Sequence, residues 1–438
     1  MRRILRHAVA APALPPPFSV RPSDPPVDTL EAPVAGPPDD APAPPAAGSP
    51  GVAPRGPLDD DIDRALAAKT MPAGALGRLG DLARRIARIQ GTVAPRLCDP
   101  AIVVFAADHG IARAGVSAYP QDVTGQMVAN FLAGGAAVSV FARTLGLRLL
   151  VVDAGVARAR GETARAARTA EAACGAHAAG PADRGGRIAL IDASIASGTQ
   201  DCSTGPAMTR AQCERALRRG ARIVRRLPGN AVGFGEMGIG NTSVAALLTA
   251  RFAGAPLDAC TGRGTGVDDA GLARKRAVLA RAWALHAQAT DPAHGDPVGA
   301  LAALGGFELA MMAGAMIEAA RLRKVIVVDG FVSTAALLAA RAIQARDAGD
   351  SAHEPPPPVV DCCVFAHRST EPGHAIALAA LGASDAAGGD GAAPLLQLRM
   401  RLGEGSGAAL AMPLLATAAD MLREMATFES AGVAGRTA

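Results

Sequence analysis

Aromatic side chains are scarce: Phe, Trp and Tyr make up 3% of the 438 residues, with one Trp and one Tyr, Tyr119. Half of the chain is nevertheless hydrophobic, so its core has to be built from Ala, Leu, Val and Ile. Lysine is also rare. Lys69, Lys275 and Lys324 are the only three, and arginine carries the remaining basic charge. Lys+Arg 44 against Asp+Glu 40 leaves a net charge of +4, and no basic stripe is interleaved with aromatics, which argues against a nucleic-acid partner. No CxxC pair and no metal-ligand spacing with histidine occurs among Cys98, Cys174, Cys202, Cys213, Cys260, Cys362 and Cys363. An odd number of scattered thiols fits a reducing compartment better than a disulfide framework. Long apolar runs are missing too. Val325–Val332 is interrupted by Asp329, and Leu309–Ile317 is short and flanked by Glu308 and Glu318, so no membrane span is expected. The opening MRRILRHAVAAPALPPPF starts like an export signal, but proline soon breaks its apolar run and no small-residue cleavage site follows. The expected compartment is the cytoplasm. There is no Walker loop, no GxSxG elbow and no Cys–His nucleophile pair.

What is present is organised by proline and glycine. Residues 1–56 are dominated by Pro, Ala, Gly and Asp, with too few large apolar groups to offset the entropy of ordering, so disorder is expected. Residues 346–360, RDAGDSAHEPPPPVV, read as a surface insertion, and ASDAAGGDGAAP (Ala383–Pro394) reads as a loop. Between them a grammar recurs: AIVVFAADHG, LRLLVVDAGV, GRIALIDASIASG, NAVGFGEMGIGNT and KVIVVDGFVST each run apolar, then acid, then glycine, then helix-like. Strands apolar on both faces predict an α/β fold, a parallel sheet flanked by helices, over residues 101–382. Ligands of such sheets lie at the carboxyl ends of the strands, and here those ends carry Asp108, Asp153, Glu236 and Asp329. A helical segment over 57–100 and the C-terminal run over 383–438 are expected to combine into a smaller helical domain.

The individual motifs each carry two readings. GEMGIGNT, with Gly238, Gly240, Asn241 and Thr242, is either a phosphate seat at a helix N-terminus or an ordinary strand-to-helix turn. Lys275 follows the glycine-rich TGRGTG turn and is either a compact point charge at a site or a solvated helix charge. Asp108–His109 suggests acid/base work, yet a structural strand-end pair fits as well; Tyr119 either walls a pocket or packs beneath its loop. Ser369 and Thr370 read first as helix caps, with Glu371 beside them. The stretch RLGEGSGAA sets one carboxylate, Glu404, between Gly403 and Gly405: a surface turn, or a backbone cradle presenting an acid to a ligand. Together these features describe a nucleotide-like site with an acid/base group.

The segments DHGIARAGVSAYPQDVTGQMVANFLAGGAAV, GEMGIGNT, GGFELAMMAGAM, VDGFVSTAA and RLGEGSGAALAMPLL closely resemble, in order, the nicotinate-nucleotide–dimethylbenzimidazole phosphoribosyltransferase family, from roughly Leu58 to Glu429. The resemblance implies a Rossmann-like α/β large domain with a small helical domain, a homodimer, and no metal or cofactor. It implies 5-phosphoribose transfer from nicotinate mononucleotide to 5,6-dimethylbenzimidazole, giving α-ribazole 5′-phosphate and nicotinate, in the late cobalamin pathway. By the same resemblance Glu404 is the general base and Glu236 lies close to the nicotinate and the reacting centre. Gly238, Gly240, Asn241, Thr242, Lys275 and Ser369 take the phosphate, and Asp329 and Gly330 lie near the ribose. Tyr119, Met127, Met237 and Leu402 line the pocket for the aromatic base. One departure stands out: where some members carry an arginine before the glycine of this turn, the chain reads IASGTQD, with Ser197.

Overall fold

The computed structural model describes residues 56–157, 188–291, 295–348, 356–383 and 393–434. The proline-rich tail and the central parts of the 346–360 and 383–394 stretches lie outside the described residues.

Six parallel strands form one sheet: β1 (Ala101–Ala107), β2 (Arg148–Gly155), β3 (Ile188–Asp192), β4 (Ala231–Met237), β5 (Val325–Val328) and β6 (Cys363–Phe365). Their order, β3-β2-β1-β4-β5-β6, is that of a doubly wound sheet. Register is regular across the centre, with Val103 opposite Leu150 on one side and Phe234 on the other. All seven residues of β1 are buried, as a strand covered on both faces requires. Five of the strands coincide with the five acid-and-glycine segments. The sixth is the unheralded CVF, which starts five residues after a run of four prolines.

Helices cover both faces. They are α1 (Pro57–Ala67), α2 (Arg78–Gln90), α3 (Val123–Leu132), α4 (Ala137–Leu145), α5 (Arg210–Arg226), α6 (Asn241–Ala253), α7 (Asp269–Leu285), α8 (Pro297–Leu304), α9 (Phe307–Arg321), α10 (Phe331–Ala348), α11 (Pro372–Ala380) and α12 (Ser406–Glu424), besides shorter turns. Side-chain caps fix several starts: Thr209 accepts from Gln212 N, Asp268 from Gly271 N and Asp296 from Gly299 N. The helix α9 is buried along almost its whole length, a consequence of its FELAMMAGAM composition. The core is aliphatic, with one stacked aromatic pair, Phe105 and Phe234, at 6.2 Å between ring centroids.

Helix α2 packs against α1 and also against α12, which lies more than 300 residues further along the sequence. Lys69 Nζ donates to Met425 O at 2.6 Å, and Arg84 pairs with Asp63 at 2.8 Å. By length and composition alone Val123–Leu145 is apolar enough to cross a membrane. It is, however, two helices, α3 and α4, divided at Gly134 where φ is +77°.

Candidate active site

The carboxyl ends of β4, β5 and β6, the turn before α12 and the loop before α7 line a cleft that, with its solvent-filled mouth included, spans about 790 Å³. Four carboxylates line it, and three of them cluster: Glu236 at the penultimate position of β4, Asp329 directly after β5, and Glu404 in the turn before α12; the fourth, Glu371, precedes α11.

The backbone at Glu404 answers why glycines surround it. Gly403, Glu404 and Gly405 are consecutive left-handed residues, with φ of +78°, +64° and +80°. For Glu404 that conformation costs roughly 1–2 kcal/mol, so the surroundings must impose it. A methyl group at Gly403 would run into the Glu236 carboxylate, and one at Gly407 would lie 2.8 Å from Asp329 Oδ1. The GEGSG pattern is therefore set by left-handed dihedrals together with the two other acids.

Two of the three carboxylates already have backbone partners. Asp329 accepts from Gly405 N through Oδ2 at 3.2 Å and from Ala408 N through Oδ1 at 2.9 Å. Glu236 accepts from the side-chain amide of Asn241 and from the backbone N–H of Glu404. Glu404, in contrast, is 6% exposed and its Oε2 has no partner. Burial, with the charges of Asp329, Glu308 and Glu404 added, pushes Glu236 up to about 8. Burial alone raises Asp329 to about 7 against the opposing pull of the Ala408, Gly405 and Gly407 amides. Burial and then the charge of Asp329 push Glu404 up to about 7. Of the three clustered acids, the one with a free oxygen thus changes protonation state near neutrality.

At the other end of the cleft, Gly238 and Ile239 lead into α6, whose N-cap Gly240 has φ +99°. Ile239 N donates to Thr124 Oγ1 at 3.1 Å, which anchors this turn to α3. Thr242 Oγ1 accepts from Lys275 Nζ at 3.1 Å. The three lysines are all buried but differently held. Lys69 donates to Met425 O and Lys324 to the carbonyls of Leu227 and Gly229, whereas Lys275 reaches only the Thr242 hydroxyl. Burial lowers Lys275 to about 8, with Glu371 opposing. An ammonium held by one hydroxyl beside a helix N-terminus is suited to an incoming anion.

Of the residues singled out in the sequence, Glu236, Met237, Gly238, Asn241, Thr242, Asp329, Gly330, Ser369, Leu402 and Glu404 line the cleft. Gly240 and Lys275 stand just behind it, at the cap of α6 and against Thr242. Tyr119 and Met127 are not in its wall: Tyr119 is 52% exposed on the loop before α3, and Met127 is half-buried against the core. Ser197 is exposed and does not line the cleft. Asp108, Asp153 and His109 do other work. Asp108 accepts from Ala157 N at 2.7 Å, Asp153 from Val156 N at 2.9 Å, and His109 Nε2 pairs with buried Glu308 at 2.6 Å. The structure adds Thr265, His367, Glu371 and Met400 to the wall, of which only the TGRGTG turn and the cap segment at Glu371 gave any signal in sequence. Among the described residues, no group of three or more His, Cys, Asp or Glu side chains is gathered as metal ligands would be.

Comparison with known proteins agrees with this geometry. A family described as phosphoribosyltransferase matches residues 53–433. The chain is 51% identical over 378 residues to nicotinate-nucleotide–dimethylbenzimidazole phosphoribosyltransferase of Variovorax paradoxus, covering 86% of this chain and 94% of that one. It is 52% identical over 372 residues to the protein of the same name from Ralstonia nicotianae, covering 84% and 92%. A crystal structure of the enzyme so named from Thermus thermophilus superposes with a TM-score of 0.70 at 38% identity, covering 86% of this chain and 99% of that one. The chain belongs to the nicotinate-nucleotide–dimethylbenzimidazole phosphoribosyltransferase family.

Proposed function

We propose that this enzyme transfers 5-phosphoribose from nicotinate mononucleotide to 5,6-dimethylbenzimidazole, giving α-ribazole 5′-phosphate and nicotinate. The observation that carries the reading is the unpartnered Oε2 of Glu404, on the one cleft acid that backbone amides do not already engage. Glu404 removes the N–H proton of the benzimidazole. The freed lone pair forms a bond to ribose C1′ as the C1′–N bond to the pyridinium breaks, its electron pair returning to the nicotinate ring. Attack from the face opposite the leaving group turns a β-nucleotide into an α-product. A quaternary pyridinium is already a good leaving group, so one base and accurate positioning supply the remaining catalysis.

The phosphate is assigned to the turn of Gly238, Gly240, Asn241 and Thr242, with Lys275 behind and Ser369 opposite, and Gly330 is assigned to the ribose side. Met237 and Leu402 are assigned to the aromatic base, with Met127 and the exposed ring of Tyr119 closing over it. Glu236 stands next to the reacting centre. We place the enzyme in the cytoplasm as a homodimer. The compartment is supported by the free cysteines of the described chain, five of the six buried; the dimer rests on the family likeness.

Purified protein with both substrates is expected to release nicotinate and α-ribazole 5′-phosphate in equal amounts, read by chromatography and mass. Nicotinate release that does not depend on added benzimidazole would make it a hydrolase instead, and absence of the product alongside an active family member would overturn the reading.

A further inference from the structure

The strand-end acid Asp329 is buried at the floor of the cleft, and the family resemblance places it near the ribose. Its contacts point elsewhere. One oxygen accepts from Gly405 N and the other from Ala408 N, and the Gly407 amide also faces it. These are first-turn amides of α12, which have no partner within the helix. They sit where a helix N-terminus favours a negative charge. They also belong to the residues immediately after Glu404. On the near side, the Glu404 N–H is held by Glu236, which Asn241 holds in turn. The left-handed Glu404 is therefore held between two carboxylates, both acting on backbone.

We propose that Asp329 is a positioning residue for the transfer reaction, its carboxylate gripping the amides of Gly405 and Ala408 so that Glu404 stays aimed into the cleft, and that it is not a ligand of the ribose. The proposal rests on Glu404 being the base. The packing supports it independently. Gly407 has to be glycine because a methyl group there would lie 2.8 Å from Asp329 Oδ1 and 2.7 Å from His367 Cβ, so α12 seats directly on the carboxylate. The left-handed turn at Glu404 needs an external hold, since only its two neighbours are glycines.

A positioning carboxylate this close leaves a second mark. Burial is the larger cause of the raised proton affinity of Glu404, and the Asp329 charge is the other. The other titratable groups around the turn are Glu236 from β4 and His367 after β6. Glu308 of α9 acts on Glu236, and Lys275, Glu371 and Arg401 lie toward the anion end. Removing the Asp329 charge while leaving these in place makes ionised Glu404 easier to form, so the acid limb of kcat moves to lower pH.

The test uses full-length protein carrying Asp329→Asn, Gly407→Ala or Glu404→Gln, each checked for folding by circular dichroism. Rates are measured across pH with nicotinate mononucleotide varied. For Asp329→Asn we expect kcat to fall about 10²-fold, with KM for nicotinate mononucleotide changed less than about threefold. Its acid limb should move down by about one pH unit. Gly407→Ala keeps the charge and disturbs the seat, so kcat should fall while the limb stays where wild type has it. Should Asp329→Asn not fold, Gly407→Ala decides: reduced kcat at unchanged KM supports the positioning role, and wild-type kcat overturns it. A tenfold or larger rise in KM with kcat retained in Asp329→Asn would make Asp329 a ribose ligand, and an unmoved limb would make it a merely structural group. Either result, with Glu404→Gln inactive, overturns this inference and leaves the base intact. A fully active Glu404→Gln removes the base assignment and the inference with it.

Discussion

The two halves of the sheet's carboxyl edge begin from the same sequence grammar and end in opposite states. At β1 and β2 the strand-end acids Asp108 and Asp153 accept from nearby backbone amides, whereas at β4 and β5 Glu236 and Asp329 open onto a cleft. The difference lies in the segment after β3. Residues 193–208 fold back across the first half: Ala193 N donates to Asp153 O, Gly198 N to Gly155 O and Thr199 N to Asp108 O, each within 3.0 Å. The far end of this segment is tied to α8 by Ala207 N to Ala303 O at 2.9 Å. On the second half the turn before α12 packs on Gly235 of β4 and presents a third acid to the cleft beside Glu236 and Asp329. Strand-end carboxylates accept backbone amides on both halves; those of the second half also face a cleft, because the loops leave that edge open.

That contrast can be broken by substitution. The largest effect is expected on the open half: Glu404→Gln keeps the shape but removes the proposed base, and kcat should fall about 10²- to 10⁴-fold. Next is the contrast between two buried lysines. Lys275→Met removes the charge behind the proposed phosphate seat, and KM for nicotinate mononucleotide should rise about 10- to 100-fold, in line with ~1.5–3 kcal/mol for a hydrogen bond to a charged group. Lys324→Met, which loses only donors to the carbonyls of Leu227 and Gly229, should lower Tm and leave KM unchanged. The smallest effect on turnover belongs to the sealed half. Asp108→Asn should lower stability by about 1–3 kcal/mol in denaturant unfolding, with kcat kept within about twofold. If Asp108→Asn instead abolished turnover with stability intact, the division between the halves would be wrong.

Much of this was legible in the sequence because the signals are backbone-level. Five strands announced themselves through apolar runs ending in acid and glycine. β6 did not, because three residues offer no periodicity. Glu404 stood out because an ordinary surface turn seldom needs glycine on both sides of an acid. The structure supplies the physical cause, a left-handed turn pressed between Glu236 and Asp329. Side-chain reach was not legible. Tyr119 and Met127 lie near the site in sequence order but outside the cleft wall, while Glu371 and Met400 line it without any pattern that separates them from capping or loop residues. The roles of Asp108 and Asp329 could not be told apart either, since both close a buried strand. Only the path of the 193–208 segment, hydrogen-bonded over the first half alone, separates them.

The most direct test is the pH dependence of kcat in the wild type and in Glu404→Gln. Burial and the Asp329 charge push Glu404 up to about 7, so its base form is present above that pH and lost as pH falls through it. The account predicts a wild-type acid limb centred near 7 and a low rate without that limb in Glu404→Gln. A wild-type limb near the ordinary carboxylate range, or the same limb at full rate in the variant, would contradict it.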